Sequence, residues 1–295
     1  MLNPIFHIPY SMRNKLLFFS LFHSITIAFL FFLPSCSKDP AIKSVQAPSA
    51  VRKVLIETFT GHNDGHGAIV SDTLLHIQQR HPDKVIGITI HSGFFAKTFG
   101  TTFTYDFHCD EGDAYYKFMG VTSNPSGAIN RVGYPNKLLK DYTTEWEKLT
   151  DSMAGLPALV TLKIKNKYNA TTRILKSSVQ CNFLSSMKST YKLVVLLTED
   201  NIVAPQRDYA LPVPRISYQF SHNHVLRDGL TGNLGDLLNT ELIKEGDSMI
   251  KNYSYTLPIN FNGKTPIENN CHIIAYIYDA VTYEVLQVEE MRMMD

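Results

Sequence analysis

The stretch that most constrains the fold is Val54–His91, VLIETFTGHNDGHGAIVSDTLLHIQQRHPDKVIGITIH. Apolar runs at Val54–Phe59 and Val85–His91 read as buried strands. Between them, Gly61–Gly67 is a glycine-rich turn, and Ala68–Arg80 carries Val70, Leu74 and Ile77 at helical spacing, with Gln78, Gln79 and Arg80 toward water. Pro82-Asp83 ends that helix. Two strands joined by a crossover helix form a βαβ unit, which requires a parallel pair and helical cover. The unit also sets Asp64-Gly65-His66-Gly67 at a helix N-terminus, where free N–H groups and the helix dipole favour negative charge.

Beyond this unit the chain enters an aromatic stretch with Phe94, Phe95, Phe99, Phe103, Tyr105 and Phe107, expected to serve as packing. A short helix is predicted at Glu111–Met119 and a strand at Gly127–Arg131, with Pro125 as a cis-proline candidate just ahead of the strand. A turn at Tyr134-Pro135-Asn136 and a helix over Leu138–Met153 follow. Past Leu156-Pro157 the pattern becomes strands separated by turns: Ala158–Lys165, Ile174–Leu184, Lys192–Leu197, Tyr253–Phe261, His272–Tyr278 and Val285–Met291. That pattern predicts an antiparallel β-sandwich over residues 157–295. Thr198–Phe220 and Ser221–Glu245 read as long loops, which in a compact domain are more often functional than idle.

Composition excludes several classes. With 28 basic and 27 acidic residues the net charge is +1, and no basic stripe interleaved with aromatics is present, so nucleic acid is not an expected partner. At the N-terminus, Arg13 and Lys15 precede the apolar Leu16–Leu33, followed by Leu33-Pro34-Ser35-Cys36 and polar residues. This resembles a bacterial lipoprotein signal over residues 1–36, in which cleavage leaves Cys36 carrying the lipid, with residues 37–50 as a tether. The apolar segment is also long enough to act as a fixed membrane anchor, and MRNKLLFF from Met12 makes a more typical signal opening than the preceding residues. Cys109, Cys181 and Cys271 remain; Cys181–Cys271 is the expected bridge if one forms, the alternative being that each is a small buried hydrophobe.

The order β-α-β, insertion, β-β-α over residues 51–156 resembles a thioredoxin-like domain. In such domains the loop at the helix N-terminus carries Cys-x-x-Cys because a thiolate is stabilised there. Taken with VLIETFTGHNDGHGA, GVTSNPSGAINR, LTEDNIVAPQ, HNHVLRDGLTGNLGD, AYIYD and VLQVEE, the whole chain after the signal resembles the outer membrane protein 28-related lipoproteins of Bacteroidota. The resemblance implies an outer-membrane lipoprotein, a thioredoxin-like domain followed by a β-sandwich. Here Asp64 and Gly67 occupy the two cysteine positions, and the buried acid of thioredoxins falls at Thr58, with Glu57 one place off on the other strand face. Thiol–disulfide exchange needs an attacking thiolate, so redox chemistry at this loop is not expected.

Two constellations remain. His62, Asp64 and His66, near His91, have donor types that could bind Zn²⁺ and support hydrolysis, but Asp64 is also a good helix N-cap and the glycines suit a tight turn. His222, His224, Arg227 and Asp228 form a polar cluster expected to fix the long loops, with Glu199 or Asp200 as partners. The leading expectation is a noncatalytic envelope lipoprotein without a cofactor, whose groove between the Asp64 turn and Pro125 accepts an extended peptide or envelope protein, or docks the second half of the chain. The competing class is an enzyme: a metal-dependent hydrolase at His62/Asp64/His66, or a thiol redox protein acting through Cys109.

Overall fold

In the computed structural model, which describes residues 50–134, 136–238 and 241–294, the βαβ unit consists of β1 (Val54–Thr60), α1 (Gly67–Arg80) and β2 (Val85–His91). The strands pair in parallel along their full length, from Val54 opposite Val85 to Thr60 opposite His91. Val70, Leu74 and Ile77 of α1 bury against Val54, Ile56 and Val85; each such side chain contributes about 1.5–3 kcal/mol on burial. The lipoprotein motif at Cys36 and the apolar Leu16–Leu33 lie outside the described residues. Among the described residues no helix is long and apolar enough to cross a membrane.

Next come α2 (Asp110–Phe118), β3 (Ser126–Ile129) and α3 (Trp146–Met153), with β3 antiparallel to β1. The helix expected from Leu138 begins only at Trp146. Asp141 turns the chain by accepting the Thr143 N–H (2.8 Å), Glu145 returns a carboxylate oxygen to the Asp141 N–H (2.9 Å), and the Lys140 N–H reaches Gly127 O (2.7 Å). Those side-chain bonds compete with helix formation.

The remaining strands are β4 (Val160–Asn169), β5 (Ile174–Phe183), β6 (Tyr191–Glu199), β7 (Ile202–Arg207), β8 (Ile216–His222), β9 (Val225–Gly229), β10 (Asp236–Leu237), β11 (Ser248–Thr256), β12 (Cys271–Asp279) and β13 (Val285–Arg292). The two expected long loops therefore carry strands. Pro205 sits at the register shift of the β7–β8 hairpin, and Arg227 and Asp228 interrupt the apolar pattern of β9, so neither segment reads as a strand from its sequence.

The expected division after Leu156 is a change of composition and not a break in the fold. The main sheet runs β13-β12-β6-β9-β2-β1-β3, and β9, from the strand-rich half, pairs with β2 on one side and β6 on the other. One face of β6 and β12 (Val194, Leu196, Ile274, Tyr276) shares a core with Leu55, Phe59, Ile86, Ile88 and Tyr115. The opposite face (Leu193, Val195, Ile273, Ile277) packs with Leu162, Ile164, Leu175 and Val179 of a separate three-stranded antiparallel sheet, β11-β5-β4. Cys181 and Cys271 lie in this second core as free buried thiols, so the expected bridge is not formed and the alternative of small core residues holds.

A buried ion pair ties the halves together. Asn130 and Arg131 follow β3 with positive φ (43° and 51°), which turns Arg131 back beneath the sheet. Its guanidinium meets the Glu57 carboxylate in two bonds (2.7 and 2.6 Å) and donates to the Tyr276 hydroxyl of β12 (2.6 Å). Both charged side chains are essentially inaccessible to solvent.

Candidate functional site

The loop between β1 and α1 is built from successive tight turns, with the Asp64 N–H donating to Gly61 O (2.9 Å) and the Gly67 N–H to Asp64 O (3.1 Å). Asp64 accepts the His66 N–H (3.0 Å) and the Thr60 hydroxyl (3.2 Å), and burial raises its carboxyl above the usual range. The helix N-cap is His66, not Asp64, and it makes no side-chain cap bond. Asp64 instead stabilises the turn one step earlier.

The His62/Asp64/His66 metal site expected from spacing does not assemble. His62 is buried with Nε2 on Lys97 O (3.0 Å), its ring between Phe103 and Phe107 (centroids 5.3 and 5.5 Å). His66 turns outward and meets Tyr209 edge-on (5.2 Å). Among the described residues no group of three His, Cys, Asp or Glu side chains is placed to hold a metal ion.

A different set converges. His91, at the end of β2, stacks on Phe107 (4.3 Å) and meets His222 of β8 edge-on (5.2 Å), while Phe107 also touches His62 and His222 (4.7 Å). Burial drives the His222 imidazole down to about 3, and burial together with His222 and His62 holds His91 well below its usual value. Three neutral histidines thus pack around one phenylalanine as core residues. His91 ends the strand that neighbours the loop and was expected near it, but nothing in the sequence placed His222 against it. Of the aromatic run, Phe103, Tyr105 and Phe107 are buried as expected for packing, whereas Phe94 and Phe99 are exposed.

The β7–β8 hairpin covers the loop. The Arg207 N–H donates to His62 O (2.8 Å), the Tyr209 N–H to Gly65 O (2.9 Å), and Gln206 Nε2 to Asp64 O (2.8 Å). Arg207 Nε reaches Asn63 Oδ1 (2.6 Å). Gly65 lies under the Tyr209 ring, and a Cβ there would stand 2.3 Å from Tyr209 Cζ, so the partly exposed ring would have to shift away. Pro125 follows a cis peptide bond beside this region, and Asn124 Nδ2 donates to Ser92 O (3.1 Å).

The cluster expected at His222, His224, Arg227 and Asp228 divides into separate structural roles. His222 faces the loop core; the His224 N–H donates to Asp200 Oδ1 (2.6 Å); Arg227 sits 3.4 Å from Glu199 and over the Phe261 ring (4.5 Å); Asp228 accepts the Tyr255 hydroxyl. Cys109, the redox alternative, caps α2 with Sγ accepting the Gly112 N–H (3.4 Å), and burial pushes its thiol up to about 12. A thiol that is almost wholly protonated at neutral pH is a poor nucleophile.

Comparison with known proteins places this geometry. The family model described as "Outer membrane protein Omp28" matches residues 112–294, more than half of the chain. Among solved structures, HBP35 of Porphyromonas gingivalis superposes with TM-score 0.59 at 14% identity, over 83% of this chain and 76% of that one. A domain of the outer membrane lipoprotein Omp28 from Porphyromonas gingivalis matches at 20% identity and TM-score 0.32, over 46% of this chain and 89% of that one. No curated protein matches the sequence. The chain belongs to the Omp28 family and is an outer-membrane-associated envelope protein.

Proposed function

We propose that the protein is a noncatalytic, lipid-anchored module of the outer membrane, held by a lipid on Cys36 and a tether over residues 37–50. In this reading residues 51–156 are a thioredoxin-like scaffold that has lost its cysteine pair, joined through β9 to a β-sandwich formed by the strand-rich half. The strand and helix order of the first half and the likeness to HBP35 support that reading of the fold.

One observation carries the function: the backbone acceptors of the degenerate loop, His62 O and Gly65 O, are already taken by the N–H groups of Arg207 and Tyr209. An extended peptide would pair with backbone groups of this kind. The chain's own hairpin fills the place of a substrate, and the loop works as an internal joint. An extended peptide or envelope protein then binds on surfaces away from the Asp64 turn.

A disulfide-reduction assay on the full chain in nonionic detergent, run beside thiol titration, tests the reading. No acceleration of disulfide reduction is expected; buried Cys181 and Cys271 should react only after unfolding, and partly buried Cys109, its thiol pushed up to about 12, should react slowly in the fold. Reductase turnover that disappears when Asp64–Gly67 is altered would overturn it.

A further inference from the structure

A cleft of about 510 Å³ opens between α1 and the β7–β8 hairpin. Leu74 and Leu75 of α1 form one apolar wall, Phe220 of β8 the other, and Thr89 of β2 lies between them. Two carboxylates, Asp72 and Asp200, also line it; no lysine or arginine does among the described residues. Thr89 is 7% exposed, its N–H is used on His224 O (2.7 Å), and its hydroxyl has no hydrogen-bond partner among the described residues. Asp200 Oδ1 accepts the His224 N–H (2.6 Å) and stands 3.4 Å from Nδ1 of His224, which also lines the cleft, while Oδ2 stands 3.6 Å from His272 Nδ1, an imidazole that Glu290 approaches at 3.4 Å.

The polar end of this partly apolar slot therefore carries carboxylate oxygens and the Thr89 hydroxyl. Asn223, which also lines the cleft, is already committed: Oδ1 accepts the Asn201 N–H (2.9 Å) and Nδ2 donates to Ser221 O (3.3 Å). With Asp72 and Asp200 in the lining and no lysine or arginine among the described residues, the only basic groups beside Asp200 are the imidazoles of His224 and His272, and the polar end suits a cation. We propose that the cleft binds an organic cation, a primary amine or guanidinium on a short aliphatic chain, with the stem against Leu74, Leu75 and Phe220 and the charge at Asp200 and Thr89. Charge-assisted bonds to a carboxylate supply orientation, and the apolar walls bury the stem. Free polyamine-like molecules and the lysine or arginine side chains of a peptide share this chemistry.

Calorimetry on the full chain in nonionic detergent tests the site with n-pentylamine, agmatine, a lysine-centred pentapeptide and the neutral control 1-pentanol. Pentylamine and agmatine should bind with Kd on the order of 1 mM. Asp200→Asn, which keeps an oxygen acceptor for the His224 N–H, should weaken binding about tenfold, and Thr89→Val about threefold. Leu75→Arg, at a position 52% exposed, places a guanidinium at the mouth and should abolish binding without changing the melting temperature. If the pentapeptide matches or exceeds the free amines, the source is a side chain; if only the free amines bind, it is a small molecule. Both results support the site. Equal binding of 1-pentanol and pentylamine, unchanged binding in Leu75→Arg, or no heat with either free amine would overturn it.

Discussion

Removing the Glu57 charge isolates what the buried ion pair does. In Glu57→Gln the Arg131 guanidinium stays at 0% side-chain exposure with no carboxylate to meet its two bonds of 2.7 and 2.6 Å. Breaking a buried pair from one side costs about 3–5 kcal/mol, because the remaining charge is stranded. The rings of Tyr115, Phe118, Tyr276 and Tyr278, 5.1 to 5.8 Å from the guanidinium carbon, and the Tyr276 hydroxyl offset part of that, which points to about 3 kcal/mol. For a unit of this size such a loss lowers Tm by about 6–12 °C. Thermal and urea melts followed by far-ultraviolet circular dichroism measure it. Because Arg131 bridges β1 and β12, the variant should still melt in one transition, with both halves lost together. Glu57→Leu/Arg131→Met, which removes both charges, should be less destabilised than the sum of the single changes. A Glu57→Gln protein melting within about 2 °C of wild type would refute the reasoning.

Two further outcomes follow from the joint. His222 is neutral in the fold, with its value depressed by burial to about 3 from the usual 6.5, so its stabilising contribution is full above pH 6.5 and is lost as pH falls from there toward 3. The loss reaches on the order of 4 kcal/mol, and His222→Phe should flatten that part of the stability–pH curve; identical curves for the two proteins would contradict the assignment. Gly65→Ala drives a Cβ into the Tyr209 ring and should loosen the hairpin tip, raising the rate of limited tryptic cleavage at Arg215 about fivefold. Tyr209→Ala should produce the same rate, and the double variant no further increase, since both act on one contact; additive effects would show that the ring does not hold the tip.

Much of this was legible in the residues. Helical spacing in α1 and the two apolar runs beside it specified the βαβ unit, because a burial pattern within one element depends only on neighbours along the chain. The strands β4, β5, β6, β12 and β13 were legible for the same reason. The missing helical turns before Trp146 were not, since Asp141 and Glu145 redirect the backbone by side-chain bonds that periodicity does not register. Nor were β7 to β9, where a proline and paired charges broke the apolar pattern that normally marks a strand.

The site divides along the same line. The sequence by itself determined that this loop holds no thiol: Asp64, Gly65, His66 and Gly67 carry none, and no packing can supply absent sulfur. Only the tertiary structure decided what the loop does instead. His62 was drawn onto Lys97 O between Phe103 and Phe107, His91 was joined to His222 across more than a hundred positions, and docking of similar range seated Arg207 and Tyr209 on the loop's carbonyls. Such contacts are chosen by the shape and hydrogen-bonding needs of surfaces that exist only once both halves of the sheet have formed.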